Sequence, residues 1–377
     1  MLRVVSVFGT RPEAIKMAPV IGALQRSPGI ESLVVSTGQH RELVPQALSV
    51  FGLRADRDLG VMTVAQSPEE TTVRVLQRCG SVFADWRPDV VLVHGDTTTT
   101  MSAALAAFYV KVPVGHVEAG LRTFERYSPF PEEMNRRLAD HIAEVHLAPT
   151  DLAAANLQRE GIDPAGIFIT GNTGIDALLH VVGTKGCPDP SAPPWIVVEA
   201  HRRENLGEPI ARIARAVQQI VRNRPEVHVL WSVHPNPAVA GPVRQALAGE
   251  DRVTLCDPPA YDEWARILAR SVLLLTDSGG LQEEAPALGL PVLVLRESTE
   301  RPEAVQCGAT RLVGTDPTSI VRAVDDLLDD PAAYRRMAEA GSPYGDGHAA
   351  ERIVQALRYR FLNGARPDPF VSECVLG

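Results

Sequence analysis

Two stretches place a histidine two residues before an acid just where an apolar run ends: Val93-His94-Gly95-Asp96 and Gly115-His116-Val117-Glu118. Side chains alternate along a strand with period two, so this spacing predicts His94 on one face with Asp96 and His116 on one face with Glu118. Carboxylates beside imidazoles are groups that take and return protons near neutral pH. A third acid comes from Pro131-Glu132-Glu133-Met134-Asn135-Arg136, where Pro131 opens a helix and Glu132 lies one turn before Arg136 on the same face. Alone, Glu132 would only complement its helix dipole. Beside Asp96 and Glu118 it completes a set of three carboxylates.

Other strand ends carry the means to hold an anion. Phe8-Gly9-Thr10-Arg11-Pro12-Glu13-Ala14-Ile15-Lys16 combines a tight turn, a helix start and two cations, and reads either as an anion loop or as a capped helix with solvated charges. Glu199-Ala200-His201-Arg202-Arg203 sets an imidazole beside guanidinium groups, which suits a phosphate. Thr276-Asp277-Ser278-Gly279-Gly280 runs from a strand into a helix whose two glycines let a ligand approach bare N–H groups, and Glu284, one turn later, can accept from ribose hydroxyls. His234-Pro235-Asn236-Pro237 reads as a strand-ending turn. No P-loop, G-x-G-x-x-G, H-E-x-x-H or Tyr-x-x-x-Lys pattern occurs, so nucleotide hydrolysis, nicotinamide redox chemistry and a required metal lack their usual signatures.

The elements that must position these residues are short β-branched runs alternating with helical patterns, the mark of an α/β fold built on parallel sheets. Strands are predicted at 4–8, 33–36, 90–94, 114–117 and 145–148, with helices near 13–26, 40–51, 69–84, 99–109 and 132–141. A second series follows, with strands at 196–199, 227–232, 253–255, 272–276 and 292–295 and a helical tail after Pro331. Residues 183–194, with four prolines, form the linker. Two such sheets leave a cleft, and ligands of open parallel sheets bind at the carboxyl ends of the strands. The 377 residues, 45% hydrophobic and 22% charged with a net charge of −9, fit two soluble domains and argue against a nucleic-acid partner. The first apolar stretch is too short for a leader or a membrane span, and the five scattered cysteines (Cys79, Cys187, Cys256, Cys307, Cys374) read as reduced thiols. The expectation is a cytoplasmic protein.

Taken in order, the Phe8 to Pro19 segment, His94-Gly95-Asp96-Thr97-Thr98-Thr99, His116-Val117-Glu118-Ala119-Gly120-Leu121-Arg122, Pro131-Glu132-Glu133, Thr170-Gly171-Asn172-Thr173, His201-Arg202-Arg203-Glu204-Asn205, Thr276-Asp277-Ser278-Gly279-Gly280 and Thr299-Glu300-Arg301-Pro302-Glu303-Ala304 succeed one another as in the non-hydrolysing UDP-N-acetylglucosamine 2-epimerases, which the chain resembles from residue 3 to about 315. The resemblance implies two Rossmann-like domains in the glycosyltransferase-B arrangement with an interdomain cleft. One is 1–182, completed by a C-terminal helix within 348–377; the other is 195–347. It also implies a homodimer that interconverts UDP-GlcNAc and UDP-ManNAc by anti elimination of UDP, a 2-acetamidoglucal and re-addition, with no cofactor and no metal.

By the same resemblance Asp96, Glu118, Glu132 and His201 are catalytic. Arg11, Lys16, Arg136, Trp264, Ser278, Gly279, Gly280, Glu284 and Arg301 bind substrate, with Trp264 against uracil and Glu284 on the ribose. Gln39, Arg202 and His234 form a candidate site for a second, activating UDP-GlcNAc, where Glu42 and Ala65 replace a glutamine and an arginine of the family pattern. A hydrolysing 2-epimerase, a retaining glycosyltransferase and a nucleotide-sugar sensor would share much of this set.

Overall fold

Runs such as Val4-Val5 and Val90-Val91-Leu92-Val93 have no polar face, and in the computed structural model they are strands buried on both sides. The structure describes residues 1–63, 66–183, 195–372 and 374. The chain divides into two units: Met1–Ala177 with Tyr344–Val371, and Leu178–Pro343 with the described part of Ser372–Gly377.

The first unit holds a parallel sheet of β1 (Leu2–Phe8), β2 (Ile30–Ser36), β3 (Arg57–Asp58), β4 (Val90–His94), β5 (Val114–Val117), β6 (Val145–Ala148) and β7 (Ile167–Ile169), in the order β3-β2-β1-β4-β5-β6-β7. The second holds β8 (Trp195–Glu199), β9 (His228–Ser232), β10 (Val253–Cys256), β11 (Leu273–Thr276), β12 (Val292–Val294) and β13 (Thr310–Leu312), in the order β10-β9-β8-β11-β12-β13. Both sheets reverse their winding once, between β1 and β4 and between β8 and β11. Such a switch point opens a crevice at the carboxyl ends of its two strands. The α/β class and the two Rossmann-like sheets are as expected from the sequence. β3, β7 and β13 escaped it: each has two or three residues and lies at or against a sheet edge, too short to show a period.

Helix starts are written locally. Thr10 and Glu13 form a capping box at Arg11–Arg26, Ser67 and Glu70 another at Pro68–Trp86, and Thr97 accepts the Thr100 N–H at Thr98–Tyr109. The helix Ala349–Leu362 lies in the first unit against Arg11–Arg26, its first N–H groups capped by Asp176 (Ala350 N to Oδ1, 2.8 Å). The expected linker falls, apart from Gly183, outside the described residues, as does Ala65.

The thiol reading needs correction. Cys307 and Cys374 form a disulfide across 67 positions of sequence, because the tail after Val371 returns beside the end of the helix Pro302–Gln306. Cys79 and Cys256 are free thiols, and Cys187 lies outside the described residues. Among the described residues, no helix is long and apolar enough to cross a membrane and no group of His, Cys, Asp and Glu side chains is placed to hold a metal.

Candidate active site

Glu13 is where the first unit's site begins. Its buried carboxylate accepts the N–H of Gly9 (3.1 Å) and Thr10 (2.8 Å), then crosses the switch point to accept the hydroxyls of Thr97 (2.8 Å) and Thr100 (3.2 Å). The loop after β1 is thereby tied to the loop after β4. Burial outweighs these bonds and holds the Glu13 pKa above its ordinary value. Gly9 cannot carry a side chain, since a Cβ there would sit 2.7 Å from Thr99 Oγ1. Arg11 follows, its N–H donated to His40 Nδ1 (3.2 Å), while the neighbouring Gln39 accepts from Thr99 Oγ1 (3.2 Å).

The acids do not pair as strand alternation predicts. β4 ends at His94 and β5 at Val117, and the next residues, Gly95 (φ 67°) and Glu118 (φ 64°), are left-handed. Each acid is thus swung out of strand register. His94 faces Glu118 rather than Asp96 (Nε2 to Oε2, 3.8 Å). Glu118 also accepts from Asn172 Nδ2 (3.1 Å) and pairs with Lys16. Asp96 pairs with Arg136 (Oδ2 to Nη2, 2.8 Å), and its carbonyl accepts from Asn135. Burial raises the Asp96 pKa; Arg136 opposes the rise and the Glu118 charge reinforces it. His94 is pushed down to about 4, chiefly by burial, so it is neutral at pH 7, and neither ring nitrogen has a hydrogen-bond partner among the described residues. Glu132 opens the helix Glu132–Ile142, and its Oε2 is buried with no such partner either. Its neighbour Glu133 is structural, accepting the N–H groups of Thr123 and Phe124.

His116 belongs to a different pair from the one expected. Nδ1 lies 2.6 Å from Asp140 Oδ1 and Nε2 lies 2.7 Å from the Gly95 carbonyl oxygen. A carbonyl only accepts, so Nε2 donates; an ionised Asp140 makes Nδ1 donate as well. Burial disfavours a charged ring, yet Asp140 prevails and the His116 pKa is raised. Burial would likewise raise Asp140, but His116 and Arg122 (Nη2 to Oδ2, 2.8 Å) bring it down to about 2. This buried imidazolium fixes the turn that carries Asp96. Asp140→Asn is expected to lower stability by about 3–5 kcal/mol, measured by urea unfolding at pH 7, because it leaves buried cations uncompensated. The Asp140 contribution is present above its ordinary value of 3.8 and is lost as pH falls toward 2, so the variant's deficit should shrink over that interval.

The second unit builds its cluster at the β8/β11 switch point. Asp277 follows β11, is fully buried, and accepts from His201 N (3.0 Å), Arg202 N (3.0 Å) and Asn205 Nδ2 (2.8 Å). It therefore shapes the loop after β8. Ser278 N donates to Thr276 Oγ1, and Gly279 and Gly280 open the helix Gly279–Glu284. A Cβ on Gly279 would lie 3.4 Å from Arg202 Nη2 and 3.6 Å from Arg301 Nη2, while one on Gly280 would meet nothing within 4 Å. Two guanidinium groups thus flank a bare helix start. Arg301 is held by Glu283. The His201 ring stacks on His234 (5.4 Å, 15° between planes). Trp264 is half-buried against the cluster of Val197, Leu268 and Leu274, and the Glu284 charge acts on the nearby Tyr261, whose pKa burial already raises.

Sequence reasoning reached Asp96, Glu118, Lys16 and Arg136, which the structure gathers in the first unit, Glu132, which opens the helix that carries Arg136, and His201, Arg202, His234, Gly279 and Arg301, which are gathered in the second. It gave no role to the residues that hold them: Glu13, Asn172 and Asp277, which lie inside the quoted stretches, and Asp140 and Glu283. Glu13 alone left a local signal, the Thr-x-x-Glu capping box.

Residues 22–358 match the family model described as UDP-N-acetylglucosamine 2-epimerase. A Yersinia pestis protein named UDP-N-acetylglucosamine 2-epimerase is 49% identical over 370 residues, covering 95% of this chain and 98% of the relative. Its Bacillus subtilis namesake is 47% identical over 378 residues, covering 99% of each. Among solved structures, the UDP-GlcNAc 2-epimerase of Neisseria meningitidis bound to UDP-GlcNAc is similar with a TM-score of 0.86 at 44% identity, over 95% of this chain and all of that one. Similarity at this level over nearly the whole length, on a fold with both strand-end clusters in place, means that the chain belongs to the UDP-N-acetylglucosamine 2-epimerase family.

Proposed function

We propose that the protein interconverts UDP-GlcNAc and UDP-ManNAc, the first unit supplying the acid and base groups for the sugar and the second most of the donors for the diphosphate and nucleoside. The C2 proton has no adjacent carbonyl to acidify it, so it leaves only as the C1–O bond breaks. The proton passes to a carboxylate, UDP departs with the bonding pair, and a C1–C2 double bond forms in a 2-acetamidoglucal. Re-addition of UDP to C1 with a proton delivered to the other face of C2 gives the epimer. Neither step oxidises or reduces the sugar, so no nicotinamide is called for.

The observation that carries this reading is the pairing of two interacting carboxyls with separate cations, Asp96 with Arg136 and Glu118 with Lys16, the latter carboxyl also accepting from the Asn172 amide. Burial and the Glu118 charge raise the Asp96 pKa, which suits it to hold and release a proton, and two faces of C2 require two such acid–base groups. Arg11, Arg202, Arg301, Ser278, Gly279 and Gly280 supply donors for the leaving diphosphate, which strengthen as its charge grows. His201 faces the same leaving group, Trp264 packs on the uracil, and Glu284 accepts from the ribose.

Incubation with UDP-GlcNAc in D2O, followed by NMR, is the test. Deuterium is expected at C2 of both epimers, because a proton on a carboxylate exchanges before it returns. Epimerisation with the original C2 hydrogen fully retained would overturn the mechanism, and free ManNAc plus UDP as products would favour the hydrolysing reaction.

A further inference from the structure

Glu199, the last residue of β8, has no part in the chemistry so far, yet its carboxyl meets charge from several sides. His201 Nδ1 lies 3.4 Å from Oε1. Thr276 of β11 pairs with Glu199 in register, which sets the Asp277 carboxylate beside it. Arg202, from its own loop, acts on Glu199 and also places Nη2 near Gly279. His234, from the turn after β9, covers the His201 ring. Asp277 is committed to three N–H donors, so it repels Glu199 without sharing a hydrogen bond with it. Burial and that repulsion lift the Glu199 pKa to about 7, while burial lowers His201. Around neutral pH, a carboxyl that resists losing its proton adjoins an imidazole that resists gaining one.

We propose that Glu199 and His201 form a proton-sharing pair, in which Glu199 positions the His201 ring and a proton is taken up from solvent when a diphosphate occupies the seat formed by Gly279, Arg202 and Arg301. The anion draws on the Arg202 guanidinium and adds negative charge of its own, so both effects favour a proton between Oε1 and Nδ1. The one bond formed is to the proton taken up from solvent, on Oε1 or Nδ1, and no other bond forms or breaks. The inference rests on the reading of this seat as the UDP-sugar site, and Glu199 acts through His201 as a positioning residue.

The test is calorimetric titration of the full chain with UDP-GlcNAc, whose diphosphate diester does not itself titrate near neutrality, at pH 7 in two buffers of different ionisation enthalpy. The parent protein is expected to show a buffer-dependent heat equal to about half a proton taken up, and its affinity to fall roughly threefold per unit between pH 6.5 and 7.5. Glu199→Gln keeps the volume and a hydrogen bond but cannot ionise, so it should bind UDP-GlcNAc within about threefold of the parent at pH 7 with the buffer dependence gone. A Glu199→Gln protein that takes up as much proton as the parent overturns the proposal. So does a parent affinity that is flat with pH, a result that needs no variant. Absence of any UDP-GlcNAc binding by the parent would instead overturn the assignment of the seat, and this inference with it.

Discussion

Asp96→Asn is expected to lower turnover of UDP-GlcNAc by about 10²–10⁴-fold, the range for losing a positioned acid or base, while UDP binds within a few fold of the parent. Asparagine fills nearly the same space and keeps an oxygen for Arg136, which donates to Oδ2 at 2.8 Å. What it loses is the exchangeable proton. Burial and the neighbouring Glu118 charge tune that proton upward against the pull of Arg136, and an amide has nothing to tune. The nucleotide contacts, Arg11 apart, are assigned to the other unit, and Asp96 itself is assigned none, so the effect should appear in kcat and not in the dissociation constant of UDP. Interconversion followed by NMR and a UDP titration measure the two. Turnover at the parent rate would remove Asp96 from the proton chemistry, and loss of UDP affinity in step with turnover would show that it organises the nucleotide seat instead.

The sequence carried the strand ends well and the side-chain partners poorly, for a physical reason. β4, β5 and β6 fall on the very residues anticipated, since short runs dominated by valine and leucine mark buried parallel strands even where a glycine or histidine interrupts them. The pairing of His94 with Asp96 failed because period two stops where the strand stops. Gly95 was visible as a turn residue, but nothing local announces that Glu118 adopts a positive φ. The supporting acids escaped for another reason. His116 and Asp140 lie 24 positions apart and meet only because the helix Glu132–Ile142 folds back beside β5, and Asp277 reaches Arg202 across 75 positions. Charged residues on helices and loops read as solvated until topology buries them. The bond between Cys307 and Cys374 is of the same kind, a long-range juxtaposition without a local pattern.

Asp277 is expected to produce the opposite signature to Asp96. Its two oxygens receive two backbone N–H groups and one side-chain amide from the loop after β8, at 2.8–3.1 Å, in full burial. Asparagine at this position has one oxygen, and its NH2 group must point at donors. At least one buried donor is left facing another, which should lower stability by about 1–3 kcal/mol. The function suffers separately. His201 and Arg202 are aimed by these bonds, and Arg202 is one of the two guanidinium groups beside Gly279. Releasing the loop should weaken a charge-assisted contact of about 1.5–3 kcal/mol, so UDP affinity is expected to fall roughly ten- to a hundredfold even at temperatures where the variant is fully folded. Urea unfolding and UDP titration at the same temperature separate the two effects. A variant destabilised as expected but binding UDP like the parent would show that Asp277 holds the sheet ends together without aiming the residues of the seat.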